Sequence, residues 1–172
     1  MDKGAYTYFI EYDDNGNIKG LNYKTYYTGR QIHALAYIDK VEVGNLTVDC
    51  KERGDTIPVI DEDNNSMVPN LIWRNLGFVE LIISSWFVDG GAQKLGIGKE
   101  LLRQIFNKIE PLSIVSIKYI WNGTNEYVGK WLEKFDAVNE CPIAFLKNSE
   151  KDSWECHLYA LNVEKFLKYL EE

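Results

Sequence analysis

The chain has 172 residues, of which 45% are hydrophobic and 13% aromatic, and this is enough to bury one domain-sized core. Its net charge of −7, from 19 basic and 26 acidic residues, argues against duplex nucleic acid as a partner, because affinity for nucleic acid comes from cations on phosphates. The chain has no apolar run of about 18 residues, and its first residues lack the apolar core of a signal peptide. We therefore expect a cytoplasmic protein without a membrane partner, folded as one domain over residues 1–172.

The first residues predict a β-hairpin. Aromatic and polar residues alternate over Tyr6–Tyr12, and the dipeptide Asn15-Gly16 is a strong tight-turn signal. A second strand is expected over Ile18–Tyr27. The whole amino-terminal half, residues 1–77, is predicted to be rich in strands.

The segment Arg30–Asp39 supports two interpretations. Ile32, Leu35 and Ala36 would lie on one side of a helix, but a strand is not excluded. The residues that follow predict strands at Val41–Cys50 and Thr56–Ile60, a solvated acidic loop at Asp61–Ser66 and a short helix at Pro69–Leu76. The acidic loop lacks the glycine and the glutamate that a calcium loop needs, so no metal site is expected.

The second half of the chain alternates strands and helices. The predicted elements are a strand at Phe78–Val88, a helix at Leu95–Ile109, a strand at Ile114–Trp121, a helix at Asn125–Phe135, strands at Ile143–Lys147 and Trp154–Leu161, and a last helix capped by Asn162. A strand, a helix and a second strand of this size form a right-handed crossover with parallel strands. With antiparallel hairpins beside it, the expected fold class is α+β, a central mixed sheet flanked by helices.

The most informative segment is Gln93–Gly98, with the sequence QKLGIG, between the strand at 78–88 and the next helix. It places backbone N–H groups at a helix N-terminus, where the dipole favours a phosphate or pyrophosphate. A Walker loop would need glycine in place of Gln93 and serine or threonine in place of Glu100. A dinucleotide fingerprint would need a third glycine, where the chain has Leu101. The pattern Gln/Arg-x-x-Gly-x-Gly/Ala fits at every fixed position.

With this loop in its strand–helix setting, the chain resembles the GNAT superfamily of acyl-CoA-dependent N-acetyltransferases over about Phe78–Leu161. The resemblance implies a GNAT-like fold with an acyl-CoA-binding core at 78–161 and a terminal helix at 162–172. It also implies acetyl transfer from acetyl-CoA to an amine of a small-molecule or peptide acceptor, by direct attack in a ternary complex. In that family the strand after the loop's helix splays away, and pantetheine threads the gap.

The resemblance assigns cofactor contacts to the end of the strand, the loop and the start of the second helix. In this sequence they are Phe87, Val88, Gln93, Lys94, Leu95, Gly96, Ile97, Gly98, Lys99 and Asn125. The loop amides would cradle the CoA pyrophosphate, a backbone N–H of Val88 or of a neighbour would hold the thioester carbonyl, and Lys94 and Lys99 could pair with phosphates. Asn122 is a weaker alternative to Asn125.

Amine acetylation benefits from a general base, because less than about one lysine amine in a thousand is neutral at pH 7. Glu80 is the leading candidate, since it is the ionisable residue inside the predicted strand at 78–88 and matches a glutamate that some GNAT members carry there. Asp89, at the end of that strand, is the second candidate.

The acid that protonates the leaving thiolate is harder to place, because the usual tyrosine of the family falls on Leu132. Tyr127 is the catalytic candidate on that helix, although it lies about 140° around the helix from position 132. Tyr119 or a water could serve instead. This departure, with the lack of paired acceptor-side helices in the first half, leaves a second hypothesis: a non-catalytic CoA-binding or protein-interaction module. The sequence leaves the acceptor and a homodimer open.

Overall fold

The fold is taken from a computed structural model, which describes residues 8–53, 78–121, 126–149 and 152–172. Within these ranges one mixed sheet contains β1 (Leu21–Thr28), β2 (Gln31–Ile38), β3 (Val41–Arg53), β4 (Phe78–Val88), β5 (Ile114–Trp121), β6 (Val138–Ser149) and β7 (Asp152–Leu161). The helices are α1 (Ile97–Phe106), α2 (Glu126–Glu133) and α3 (Val163–Glu171). The elements predicted at 56–60, 61–66 and 69–76 lie outside the described residues.

The sheet combines one parallel pair with antiparallel neighbours. Its strand order is β1-β2-β3-β4-β5-β7-β6, and β4 and β5 are the parallel pair within the described ranges. The predicted mixed sheet is therefore confirmed. The bounds predicted for β4 and β5 agree with the structure, whereas α1 begins later than expected because Gly96 has a left-handed φ of 82°.

Of the two interpretations of Arg30–Asp39, the helix is wrong and the strand is correct, since this segment forms β2. Every second residue, from Ile32 through Ala34 and Ala36 to Ile38, is buried, and α1 packs on this strand. A two-residue turn at Gly29-Arg30 joins β1 to β2, and the φ of 60° at Gly29 suits such a turn. The period of two, and not the helical spacing, describes this segment.

The predicted first hairpin survives mainly as its turn. Tyr12 and Ile18 form a single β-bridge around Asn15-Gly16, and the Gly16 N–H donates to the Asp13 carbonyl at 3.1 Å. The following strand pairs along its whole length with β2, and the described residues 8–12 before the turn form no ladder with it. The hairpin therefore forms one step later in the chain than predicted.

The three helices and the sheet enclose one core in which aromatic rings of different helices meet. Phe106 of α1 and Phe135, which follows α2, lie 4.9 and 5.4 Å from the ring of Phe166 on α3. The Arg103 Nε also donates to the Leu170 carbonyl at 2.7 Å, which ties α1 to α3. Asn162 caps α3 as predicted, with Oδ1 accepting from the Lys165 N–H at 2.9 Å. Among the described helices, none has the length and apolar character needed to cross a bilayer.

Candidate active site

Strands β4 and β5 are paired over only part of their length. Their parallel register runs from Val79–Ile114 to Ile83–Tyr119 and stops there, although both strands continue. Beyond that point, residues 85–88 of β4 pair with β3, and the end of β5 pairs with β7. A V-shaped gap therefore opens in the sheet, with its apex at Ile83 and Tyr119.

A β-bulge in β4 accounts for the separation. The register between β3 and β4 passes from Val48–Ile83 to Thr47–Ser85, so Ser84 is the extra residue. Its hydroxyl donates to the Thr47 carbonyl at 3.3 Å. A bulge bends its strand and increases the local twist. Because this bulge follows directly on the last pair with β5, it turns β4 away from β5 at the apex.

The backbone of Val88 faces the gap. Val88 lies opposite Gly44, and the flanking Asp89 N–H donates to the Val43 carbonyl at 2.7 Å. In an antiparallel ladder this pattern identifies Val88–Gly44 as a non-hydrogen-bonded pair, whose own N–H and C=O groups point away from the partner strand. The N–H of Val88 is therefore directed to the side of β4 that β5 has left.

The QKLGIG loop sits at the end of this separated strand. The Gln93 Nε2 donates to the Val88 carbonyl at 3.1 Å and so ties the loop to the strand. Gly96 is the N-cap of α1 and offers no side chain to the first turn. The amides of Ile97, Gly98 and Lys99 are thus the N-terminal N–H groups of the helix, which carry the positive end of its dipole. The arrangement can hold an anion through backbone groups alone.

The side chains of the loop have separate positions. Ile97 is buried in the core, so only its backbone could contact a ligand. Lys94 and Leu95 line an open cleft of about 580 Å³ together with Tyr12 and Tyr23. The Lys99 ammonium lies 4.2 Å from the centre of the Tyr169 ring of α3. The two lysines therefore contact different parts of the protein: Lys94 lines the cleft, and Lys99 lies over Tyr169 of α3.

The two remaining predicted cofactor contacts are Phe87 and Asn125. Phe87 is 55% exposed and, as the register partner of Asn45, sits on the separated part of β4. Asn125 lies outside the described residues.

Gly98 has a structural role that the sequence did not reveal. A Cβ at this position would lie 3.2 Å from the Trp86 ring, and the Trp86 Nε1 donates to the Gly98 carbonyl at 3.2 Å. The same indole lies 4.8 Å from Trp131 and 6.3 Å, edge-on, from Tyr119. Trp86 therefore fills the helix side of the gap, and Gly98 makes room for it.

Glu80, the predicted base, is held by an ion pair. Its Oε1 lies 2.8 Å from the Lys118 Nζ, and their side chains are 16% and 18% exposed. Lys118 also reaches Glu140 of β6 at 2.9 Å. Its hydrogen bonds to Glu80 and then Glu140 raise the pKa of the Lys118 ammonium above its ordinary value. Since Val79 and Leu81 belong to the buried core, alternation puts Glu80 on the opposite face of the sheet.

Asp89, the second base candidate, is used in local structure. Its carboxylate accepts hydrogen bonds from the Tyr8 hydroxyl and from the Gly91 N–H, and it caps a short 3₁₀ turn at Gly90–Ala92. Burial, followed by this hydrogen bond, raises the pKa of Tyr8 to about 12. Asp89 thus fastens the amino-terminal segment to the β4–α1 connection.

The acid candidates occupy contrasting positions. Leu132 is 2% exposed and contributes only hydrocarbon. Tyr127 is 73% exposed on the first turn of α2. Tyr119 belongs to the last β4–β5 pair, and burial raises its pKa to about 12, so it keeps its proton at neutral pH. The structure therefore brings Tyr119 to the apex of the gap and leaves Tyr127 on the surface.

The sequence reasoning missed Trp86 and Lys118. Both contacts join residues that are distant in the chain, so no local spacing announces them. The signal that could have suggested Lys118 is its place inside the β-branched run of β5, because a lysine on a buried strand needs a carboxylate partner.

Comparison with known proteins identifies the fold. No protein-family model matches the sequence, and no curated protein matches it. Among solved structures, NAA60 from Arabidopsis thaliana in complex with a bisubstrate analogue aligns with a TM-score of 0.51 and 13% identity, over 78% of this chain and 77% of that one. The ribosomal-protein-S18-alanine N-acetyltransferase from Escherichia coli aligns with a TM-score of 0.49 and 11% identity, over 78% and 70% of the two chains. The similarity to NAA60 shows that the chain has the GNAT acyl-CoA N-acyltransferase fold.

Proposed function

We propose that this chain is an acyl-CoA-dependent N-acetyltransferase, which moves acetyl from acetyl-CoA to an amine by direct attack in a ternary complex. The observation that carries the proposal is the gap that opens at Ile83–Tyr119, with the Val88 N–H directed into it and the N-terminus of α1 at its end. The fold supports the same reading, since NAA60 was solved with a bisubstrate analogue.

The cofactor half of the site uses backbone groups. The amides of Gly96–Lys99 at the N-terminus of α1 would hold the CoA pyrophosphate. Gln93 would keep this loop against the strand, through its hydrogen bond to the Val88 carbonyl. The Val88 N–H would stabilise the negative charge that develops on the thioester oxygen during attack.

The reaction needs two proton transfers. The acceptor nitrogen attacks the thioester carbonyl, a C–N bond forms, the C–S bond breaks, and the thiolate leaves. Glu80 would take the amine proton directly or through a water. Tyr127 or Tyr119 would supply the proton to the thiolate, and Tyr119 has the better position because it lies at the apex of the gap.

The acceptor is proposed to be a small-molecule or peptide amine. Glu80, Lys118 and Glu140 together carry a net charge of −1 on the sheet face opposite α1. A negative site there would attract the protonated amine before it loses its proton. This charge favours a cationic acceptor of either kind.

The first test is titration calorimetry with acetyl-CoA. The wild-type chain should bind in the micromolar range, and Gly96→Glu should abolish binding by placing a carboxylate at the phosphate position. Gly96→Gln is the matched control, because both variants carry the same strain at φ 82° and a Cβ there meets nothing within 4 Å. Absence of wild-type binding at millimolar acetyl-CoA, or equal losses in the two variants, would refute the proposed site.

A second candidate function is a CoA-binding module without turnover. The observation that favours it is the apolar surrounding of the gap, where Leu132 replaces a hydroxyl and Trp86 fills the helix side. Thiol release from acetyl-CoA with spermidine, kanamycin or a lysine-containing peptide would reject this candidate. Tight binding without release in any of these assays would favour it.

A further inference from the structure

We propose that Lys118 is a positioning residue for acetyl transfer: its ammonium bridges Glu80 and Glu140 and fixes the direction of the Glu80 carboxylate on the sheet face away from the described helices. This inference rests on the proposed function, in which Glu80 is the base. No feature of the sequence pattern assigns such a role to Lys118. It follows from where the three side chains meet.

The first step is the place of Lys118 in the sheet. Lys118 is the register partner of Ile82, one pair before the β4–β5 pairing ends at Tyr119. Its neighbours Ile117 and Tyr119 belong to the buried core, so alternation puts the lysine on the same face as Glu80. The ion pair of 2.8 Å therefore lies on the face away from the described helices, in the paired part of the two strands, with Glu80 opposite Ser116 and three pairs before the apex.

The second step is the way Glu140 reaches Lys118 from a strand that is not its neighbour. The register between β6 and β7 skips Glu140, which is the extra residue of a β-bulge between Asn139 and Cys141. Bulges re-aim a side chain and are common beside active sites. Ala160 of β7 is the register partner of Lys118 on one side and of Val138 of β6 on the other, so the contact between Lys118 and Glu140 runs diagonally across β7. The bulged residue of β6 is thus the one that contacts Lys118.

The third step concerns the other charges on this face. Lys51 of β3 is the register partner of Glu80, and Asp49 of β3 is the register partner of Ile82. Asp49 already accepts a hydrogen bond from the Gln31 side chain at 2.6 Å. Lys118 is the cation for which the structure gives a contact of 2.8 Å with Glu80. We therefore assign the positioning of the Glu80 carboxylate to Lys118.

The physical consequence is a base with a fixed direction. Two contacts, with Glu80 and with Glu140, fix the position of the Lys118 ammonium, so the Glu80 carboxylate that it contacts loses rotational freedom. Loss of the ammonium should therefore reduce kcat for acetyl transfer without altering the affinity of the loop amides for CoA.

The test compares Lys118→Met with Lys118→Arg, and uses Lys168→Met on the exposed side of α3 as the matched control. Calorimetry gives the acetyl-CoA affinity. Thiol release gives kcat and KM for the best amine among spermidine, kanamycin and a lysine-containing peptide, or the rate with water if none reacts. We expect Lys118→Met to bind acetyl-CoA within about twofold of wild type, to lose about tenfold in kcat and to change KM for the amine by less than about twofold, because a misdirected base slows the proton transfer. Lys118→Arg should restore kcat.

Three results separate the possibilities. A kcat of Lys118→Met equal to that of wild type would overturn the inference while leaving the acetyltransferase proposal intact. A loss of kcat that Lys118→Arg fails to reverse would also overturn it. Absence of acetyl-CoA binding, or of all thiol release, in the wild-type chain would instead reject the proposed function itself and the inference with it.

Discussion

Replacing Gly98 by alanine tests the link between the loop and the aromatic filling of the gap. The new Cβ would lie 3.2 Å from Cζ2 of Trp86, whereas non-bonded carbon atoms prefer about 3.5–4.0 Å. The Trp86 indole has little freedom to move away, because the Trp131 ring lies 4.8 Å from it and because the Trp86 Nε1 donates a hydrogen bond to the Gly98 carbonyl.

The expected magnitude is the difference between two opposing effects. Alanine is favoured over glycine inside a helix by at most about 1 kcal/mol, and position 98 is only the second residue of α1. Overpacking of a rigid environment costs about 1–3 kcal/mol. We therefore expect the free energy of unfolding to fall by about 1 kcal/mol, which for this chain length lowers Tm by about 3 °C.

Urea unfolding followed by tryptophan fluorescence measures this loss. Gly90→Ala is the control, since a Cβ at Gly90, unlike one at Gly98, would meet nothing within 4 Å and should be tolerated. In a Trp86→Phe background the contacting ring atom is absent, so Gly98→Ala should cost nothing, and the coupling energy should be about 1 kcal/mol. Stabilisation by Gly98→Ala, or an equal effect in both backgrounds, would refute the packing argument.

Two further predictions concern stability. The pKa of Tyr119 is about 12 in the fold and about 10 when unfolded, so the unfolded state releases the proton first, and stability conferred below pH 10 is lost as pH rises toward 12. Two pKa units correspond to about 2.7 kcal/mol. Between pH 9 and pH 11, the free energy of unfolding measured in urea should therefore fall by about 1 kcal/mol less in Tyr119→Phe than in wild type. An identical alkaline loss in both proteins would contradict this assignment. Asn162→Ala should lower the free energy of unfolding by about 1 kcal/mol by removing the cap of α3, and Asn162→Asp should retain it. Equal stability of the two cap variants would show that the hydrogen bond to Lys165 contributes nothing.

The elements that could be predicted from the sequence are those with a strong local pattern. The apolar run of β4, the β-branched run of β5 and the cap at Asn162 each carry their own signal, and the structure agrees with all three. The segment of β2 was ambiguous because Leu35 gives a helical spacing that competes with the period of two. In the structure Leu35 is only half-buried, on the face opposite Ala34 and Ala36.

The site could be predicted only as far as backbone groups carry it. A glycine loop between a strand and a helix predicts an anion site, because the order of these elements places backbone N–H groups at the helix N-terminus. The ion pairs around Glu80 could not be foreseen, since Lys118, which contacts Glu80, and Glu140, which contacts Lys118, come from strands whose pairing is set by the whole sheet. A bulge such as the one at Glu140 leaves no local signal, because it depends on the partner strand.

The short pairing between β4 and β5 also divides the sheet into two blocks of strands. Strands β1 to β4 form one antiparallel block and β5 to β7 another, and within the described residues only a brief parallel seam of the sheet joins them. Helix α3 bridges this seam, since it packs on β5 and binds α1 through Arg103 and Leu170. Helix α3 therefore joins the two blocks a second time, through contacts that do not depend on the pairing of β4 with β5.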